Sequence, residues 1–291
     1  MKYLVIIPVY DEANFIGHSL DSVMSQSLRP SKIVVVDDGS RDATNVIVQK
    51  YCDNYPWIQL ITIPYRSKRS VGAKIINAFK TGIQSQHESY DFIVKMDSDI
   101  LIPSNYFQKI ANHFKHNRRI GIAGGKLMTE RNGAWIEDTS ADKDHVKGAC
   151  KSYRTDCFKD MGGLRHSIGW DTADELLARF HGWEILVDPS LEVKHRRTMG
   201  SLTNPYLLAK VTGIGMYRMR YGLFISLLSG IKYGLKHKPY GLSALFIILG
   251  WLYSWICGTG FIVSPDEGRF IRSYRRRRMI NKIENFIRKL G

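Results

Sequence analysis

Residues 3–7 form an unbroken apolar, β-branched run, and the same pattern returns at 33–36 and 92–96. Runs without polar alternation are those of strands covered on both faces. Between them the pattern turns helical. Ile16, Leu20 and Val23 predict a helix from about Asn14, and Val46, Ile47 and Tyr51 predict a second with Asp42 as its N-cap. A strand at 58–63, a basic loop carrying Arg66, Lys68 and Arg69, and a helix at 72–83 complete a β-α-β-α-β-α-β order. That order predicts an α/β fold with a mostly parallel sheet flanked by helices on both faces.

The next stretch predicts a helix at 105–114 and a strand at 120–124, whose glycines admit close backbone approach. A loop or hairpin is expected at 126–144, a strand at 146–150, and a new element from Tyr153. Arg154 reads either as half of a surface ion pair or as a contact for an anionic acceptor. A helix opens near Asp171, and 184–187 and 191–194 read as two short strands around the turn Asp188-Pro189. Beyond about residue 200 the composition changes to two Gly-, Tyr- and Leu-rich helices, at 207–221 and 223–235. An uncharged run at 240–263 follows, and then a basic tail at 266–290 with Ile280, Ile283, Ile287 and Leu290 on one helical face.

Chemistry enters at the strand ends. In open α/β sheets ligands gather at the carboxyl ends of the strands, and this chain places acids there three times: Asp11 with Glu12, Asp37 with Asp38, Asp97 with Asp99. Residues two apart on a strand face the same side, so Asp97 and Asp99 project together and repel unless a proton or cation separates them. Two readings stay open for that pair: a site for Mg²⁺ or Mn²⁺ bound with a diphosphate, or a solvated turn. Asp38 likewise either caps a turn or accepts from a nucleotide base, with Arg66, Arg69 or Lys74 facing phosphate.

Net charge narrows the partners. The 291-residue chain carries +15, which suggests an anionic partner: nucleic acid, an anionic membrane or a phosphorylated substrate. Nucleic acid fits poorly, because the positive charge concentrates in the tail while the strand ends carry carboxylates that would repel phosphates. A nucleotidyltransferase is disfavoured too, since the first strand is followed by Asp11-Glu12-Ala13-Asn14 in place of a Gly/Arg/Lys-rich loop. Four scattered cysteines indicate neither a zinc site nor a disulfide framework, which fits a reducing, cytoplasmic location. The apolar run at the N-terminus is too short for a signal-peptide core and is cut by Pro8.

Four segments in order, Val5-Ile-Ile-Pro-Val-Tyr-Asp-Glu-Ala-Asn14, Ser22-Val-Met-Ser-Gln-Ser27, Ile33-Val-Val-Val-Asp-Asp-Gly-Ser-Arg-Asp42 and Met96-Asp-Ser-Asp99, resemble a family 2 glycosyltransferase of GT-A, Rossmann-like fold. The resemblance is specific over about the first hundred residues and looser to about residue 200. It implies inverting transfer from a nucleotide diphosphate sugar with a divalent metal. Pro8, Tyr10 and Glu12 would then lie near the nucleotide, Asp38 would read the base, and Asp97 and Asp99 would form the metal motif. His195, with Arg196 and Arg197 beside it, would be a metal or phosphate contact. The family's base motif lies about eleven residues before a Gly-aromatic pair, so Gly182-Trp183 points to Asp171 as general base, with Asp174 as its rival. Helix capping alone would also account for both acids, together with Glu175.

Two departures stand out: Ala73-Lys74-Ile75 replaces the family's Ala-Arg-Asn, which keeps charge at Lys74 without the bidentate fork, and Trp170-Asp171 replaces Glu-Asp. The expected division is a catalytic domain at 1–200, with a nucleotide-sugar half at 1–100 and an acceptor half at 101–200, and a helical region at 201–291.

The run at 240–263 is long enough to cross a bilayer. Lysines 232, 236 and 238 precede it, however, and arginines 269, 272 and 275–278 follow it, so a single span would strand one cluster outside. A helical hairpin dipping into the cytoplasmic leaflet, with the tail along anionic headgroups, satisfies both clusters. The other reading is a helix packed on the catalytic domain. The first makes the chain a peripheral or monotopic protein at the inner face of the cell membrane, whose acceptor is a glycan or lipid-linked sugar.

Overall fold

The computed structural model describes residues 1–64, 73–167, 169–197, 204–236 and 241–288. Arg66, Lys68, Arg69, Gly72, Lys238, Tyr240 and Leu290 lie outside these residues, as do the side chains of Ile283 and Ile287. The chain forms two compact units: Met1–Leu164 with Leu177–Met199, and Arg165–Leu176 with Gly200–Gly291.

In the first unit β1 (Tyr3–Val9), α1 (Ile16–Met24), β2 (Lys32–Asp37), α2 (Thr44–Asn54), β3 (Ile58–Thr62), α3 (Ala73–Gln84) and β4 (Phe92–Met96) follow the predicted alternation. β3, β2, β1 and β4 lie side by side, all parallel. Strand alternation divides the core. Tyr3, Val5, Ile7 and Val9 pack with Ile16, Leu20 and Val23 of α1 on one face. Leu4 and Ile6 pack with Ala78 and Phe79 of α3 on the other.

The chain continues through β5 (Ile100–Leu101), α4 (Tyr106–His116), β6 (Ile120–Arg131), β7 (Ala134–Glu137), β8 (Cys150–Arg154), α5 (Thr155–Asp160), α6 (Trp170–Phe180) and β9 (Glu184–His195). Here the sheet departs from the expected mostly parallel arrangement and is mixed. β8 runs antiparallel to both β4 and β6, β6 is parallel to β9, and β5 and β7 join antiparallel at β9 and β6. The strand expected at 120–124 extends to Arg131 and turns back through β7, so the polar stretch after it begins as a β-hairpin. The strand expected at 146–150 lies later, at Cys150–Arg154.

The two short strands expected around Asp188-Pro189 are one strand with a bulge, where the register jumps from Gly125↔Asp188 to Lys126↔Glu192. Pro189 has no N–H for the ladder, and Asp188 accepts from the Ser190 N–H at 2.9 Å, so the extra residues loop out without ending the strand. They press on Gly125, where a Cβ would lie 2.2 Å from the Leu191 carbonyl oxygen. Arg154 is half-buried and donates to the carbonyls of Phe114, Asn117 and Ile120, so it caps the end of α4 in place of the expected surface ion pair.

The second unit holds the start of α6 and four helices: α7 (Pro205–Arg218), α8 (Leu223–Lys236), α9 (Leu242–Ile256) and α10 (Pro265–Ile287). Only 15 residues of the apolar run are helical, as α9, and the chain turns at Cys257 before α10 begins. Among the described residues no helix is long and apolar enough to cross a membrane. α9 packs on α7 and α8. Contact with α7 is at backbone distance: a Cβ on Gly213 would sit 1.9 Å from the Ile247 oxygen, and one on Gly250 would sit 2.0 Å from the Lys210 oxygen.

Candidate active site

The loops after β1 and β2 are stitched together. Asp11 adopts a left-handed conformation (φ 53°), which short polar side chains tolerate. Its N–H donates to Ser40 Oγ at 2.9 Å, and its carboxylate accepts from the Arg41 N–H at 2.7 Å. The Glu12 N–H donates to Thr44 Oγ1 at 2.8 Å. These bonds separate the two acids of Asp37-Asp38. Asp37 is fully buried and accepts from the Ser40 N–H, the Ser40 hydroxyl and Asn45 Nδ2, so it holds the turn. Asp38 is left to face the cleft. Lys74 Nζ stands 3.0 Å from Asp38 Oδ2 and 5.2 Å from the centre of the Tyr10 ring. Tyr10, Asp38 and Lys74 thus form one polar, aromatic-walled corner, with Pro8 in the strand end beneath it.

The second cluster is built around the turn after β4. The buried Ser19 of α1 sets its hydroxyl between the carbonyl oxygens of Ser98 (2.6 Å) and Ile100 (2.7 Å). One hydroxyl proton serves both, and it fixes the backbone that carries Asp97 and Asp99. Pairing of Ile100 with His195 then brings the end of β9 to the acids. His195 Nε2 lies 3.2 Å from Asp99 Oδ2. Arg197 donates to Glu12 Oε2 at 2.7 Å, stands 3.7 Å from Asp99 Oδ2, and lies over the Phe15 ring at 5.0 Å. Lys95, almost fully buried, donates to Asp97 and to the Gly148 carbonyl.

The charges perturb one another. Burial pushes the Glu12 carboxyl up to about 7, helped by Asp99 and Asp97 and opposed by Arg197. Asp97 is raised by its surroundings and by Asp99 against the pull of Lys95, although its side chain keeps 31% of its surface. Asp99 also meets a burial penalty, but the hydrogen bond and charge of His195, with Arg197, outweigh it and hold Asp99 below the usual carboxylate range. His195 is the mirror image: burial lowers it, and the bond to Asp99 more than compensates. Burial is the main force raising Glu12 and Asp97, while Lys95, Arg197 and His195 supply the opposing charge.

A divalent cation fits this donor set. Asp97 and Asp99 supply hard oxygens and His195 an imidazole, and the buried His195 Nδ1 has no hydrogen-bond partner among the described residues. Among the described residues no three such side chains are already drawn in to coordinating distance; the cations Lys95 and Arg197 lie against the acids instead.

Asp171 and Asp174 belong to the second unit, in the segment Arg165–Leu176. Gly169, at φ 74°, turns the chain into α6, whose first turn carries Asp171. Asp171 is half-exposed, whereas Asp174 is buried and accepts from the Glu175 N–H at 2.6 Å. A cavity of about 450 Å³ in the first unit is lined by Met1, Phe114, Arg154 and Trp183 and by none of the clustered acids of that unit.

Sequence reasoning missed Ser19 and Lys95. Both had a signal: a serine inside the apolar stripe of a helix, and a lysine inside a buried strand two residues before Asp97, hence on its face.

A four-strand parallel half with a polar corner at its strand ends, followed by an acid turn held by a mixed half, is the GT-A glycosyltransferase architecture. The solved structures agree. Staphylococcus aureus TarS (residues 1–349), crystallised with UDP-GlcNAc, superposes with a TM-score of 0.56 at 20% identity, covering 93% of this chain and 78% of that one. The mannosyltransferase PcManGT of Pyrobaculum calidifontis, in complex with GDP-Man and Mn²⁺, gives 0.55 at 14% identity, covering 98% and 87%. At those identities the likeness is one of fold. The sequence supplies the family: the glycosyl transferase family 2 profile matches residues 4–158, and the chain belongs to that family. An uncharacterised glycosyltransferase of Mycoplasma pneumoniae is 35% identical over 181 residues, which are 57% of this chain and 58% of that protein's length. The family match ends before Asp171.

Proposed function

We propose that this chain is a metal-dependent, inverting hexosyltransferase that moves a sugar from a nucleotide diphosphate sugar to a hydroxyl of a cell-surface glycan or lipid-linked acceptor, at the inner face of the cell membrane. One observation carries this reading: Glu12, Asp97 and Asp99 converge with His195 and Arg197 beside the Tyr10–Asp38–Lys74 corner. The UDP-GlcNAc and the GDP-Man with Mn²⁺ bound by the two structural neighbours support it.

In this reading Pro8 and Tyr10 line the nucleotide, Asp38 accepts from the base, and Lys74 meets phosphate charge, with Glu12 positioning Arg197 toward the diphosphate. Asp97 and Asp99, with His195, hold Mg²⁺ or Mn²⁺. The chemistry such an ion supplies is neutralisation of the leaving diphosphate. Asp171 takes the acceptor hydroxyl's proton as its oxygen attacks the anomeric carbon opposite the leaving group. Its exposure favours it over Asp174, whose carboxylate is buried.

Thermal shift with UDP, GDP, CDP and dTDP, with and without Mn²⁺, tests the donor site. One nucleotide should stabilise the protein, by about 2.7 kcal/mol at a hundred times its dissociation constant. Asp99→Ala should remove the Mn²⁺-dependent part. Silence with every nucleotide, or full transferase activity in excess EDTA, would sink the reading.

A further inference from the structure

Two helices of the second unit, α8 and α9, turn most of their large apolar side chains outward. On α8 the exposed positions include Phe224, Leu227, Leu228, Ile231 and Leu235, spaced three and four apart along one face. On α9 they are Leu242, Leu245, Leu249, Tyr253 and Ile256, again a single face, with Trp255 beside it. Leu235 and Ile256 are each 75% exposed. The buried faces are mostly small, with Ser226, Gly230 and Gly234 on α8 and Ser243, Gly250 and Ser254 on α9, and with Ile225 and Ile247 the large side chains among them. Gly230 and Gly234 bring α8 against Ile247 and Ala244, as Gly213 and Gly250 bring α7 against α9.

A protein sorted by water buries its leucines and shows its serines. Small residues within and large apolar ones without is the sorting of helices that pack among hydrocarbon chains. Contiguous exposed apolar stripes on two packed helices mark a surface made to be covered.

Length and charge decide how lipid is met. Helices of 14 and 15 residues reach about 21–23 Å, short of a hydrocarbon core of about 30 Å. Exposed Lys232 sits among the α8 leucines, and Lys210 Nζ lies 4.9 Å from the centre of the Tyr253 ring. Residues 200–291 carry 15 Lys and Arg against three Asp and Glu, a net +12 of the chain's +15. Exposed Arg269, Arg276 and Arg277 on α10 belong to that excess.

We propose that the α8–α9 pair lies flat in one leaflet of an anionic bilayer, its Phe224–Leu235 and Leu242–Ile256 stripes among the acyl chains and the basic residues at the headgroups. This deepens the membrane location proposed above by naming the surface that makes it. The test uses neither donor nor acceptor, so loss of lipid binding and loss of glycosyl transfer fail separately.

Flotation of the full chain with phosphatidylcholine vesicles, with and without 30% phosphatidylglycerol, reads the proposal. The protein should float with the anionic vesicles and keep part of that binding at high salt, because apolar burial is not screened. The double variant Leu235→Asn with Leu245→Asn, at two exposed positions, should lower partitioning about tenfold or more while leaving the nucleotide-dependent thermal shift unchanged. Should that variant fail to fold, quenching of wild-type tryptophan fluorescence by lipids brominated along the acyl chain, lost in Trp255→Phe, gives the same answer. Wild-type protein that stays in the soluble fraction with both vesicles overturns the proposal, as does a double variant that floats like wild type. A dimer that the double variant dissociates, without lipid binding, would assign the face to a second copy instead.

Discussion

The two units obey opposite rules. In the first, the largest side chains are inside, with Tyr3, Phe92, Tyr106 and Phe107 fully buried, and the charges stand at strand ends where their partners converge. In the second, α7, α8 and α9 bring glycines and serines together and leave Leu, Phe and Trp outside. Both are ordered packings. What differs is what each surface displays: charged groups at the strand ends of the first, and apolar stripes on α8 and α9 of the second. The proposed donor site belongs to the first unit and the proposed lipid-facing surface to the second, which also carries Asp171, and each proposal can be broken by a substitution that leaves the others alone.

The largest expected effect concerns the proposed general base. Asp171→Asn should lower kcat by about 10²–10⁴-fold while leaving the nucleotide-dependent thermal shift intact. Asp174→Asn should instead act through stability, because that carboxylate is buried. Reversal of the two results would move the base to Asp174, which steady-state kinetics alongside melting curves would reveal.

Next in size is the packing of the helical unit. Gly250→Ala adds one methyl group where the nearest atom would be a backbone oxygen at 2.0 Å, and a backbone cannot step aside as a side chain can. A loss of about 1–3 kcal/mol in denaturant unfolding is expected. Gly260→Ala, with nothing within 4 Å, is the matched control and should change little.

The smallest effect is a pH dependence inside the first unit. Asp188 meets a burial penalty, yet the hydrogen bonds from His113 (2.8 Å) and Ser190 hold its carboxyl below the usual carboxylate value. A depressed folded-state value means that the unfolded chain binds the proton first. The stabilisation is therefore present above the unfolded pKa, about 3.9, and is lost as pH falls through the lower folded value. The melting temperature should fall between about pH 5 and 3, and the fall should be shallower in Asp188→Asn. Equal slopes would show that the bulge at 188–191 stands without this charge.

Much of the first unit was legible because its signals are local. A buried strand announces itself as a run of β-branched residues, and a period of two is enough to place Asp97 and Asp99 on one side of a strand end. The bulged strand was not legible, because a proline next to an aspartate is also how a turn is written; pairing with Gly125 and Lys126 decides between them. Asp37 and Asp38 likewise look equivalent until Asn45 and Ser40 claim the first. In the second unit the period of α8 and α9 was visible, but which side faces out was not. When nearly every residue is apolar, hydrophobicity no longer ranks the faces, and only side-chain size does.

The sequence by itself determined the parallel β-α-β alternation of the first hundred residues, the acids at its strand ends and the family. Only the tertiary structure decided the partners: that His195, 96 residues along the chain, reaches Asp99, that Arg197 bridges Glu12 and Asp99, and that the glycines of α7 and α9 meet. The reason is physical. A strand or helix is specified by neighbours a few residues away, whereas a contact between distant segments depends on how sheets pair and helices seat, which no local period encodes.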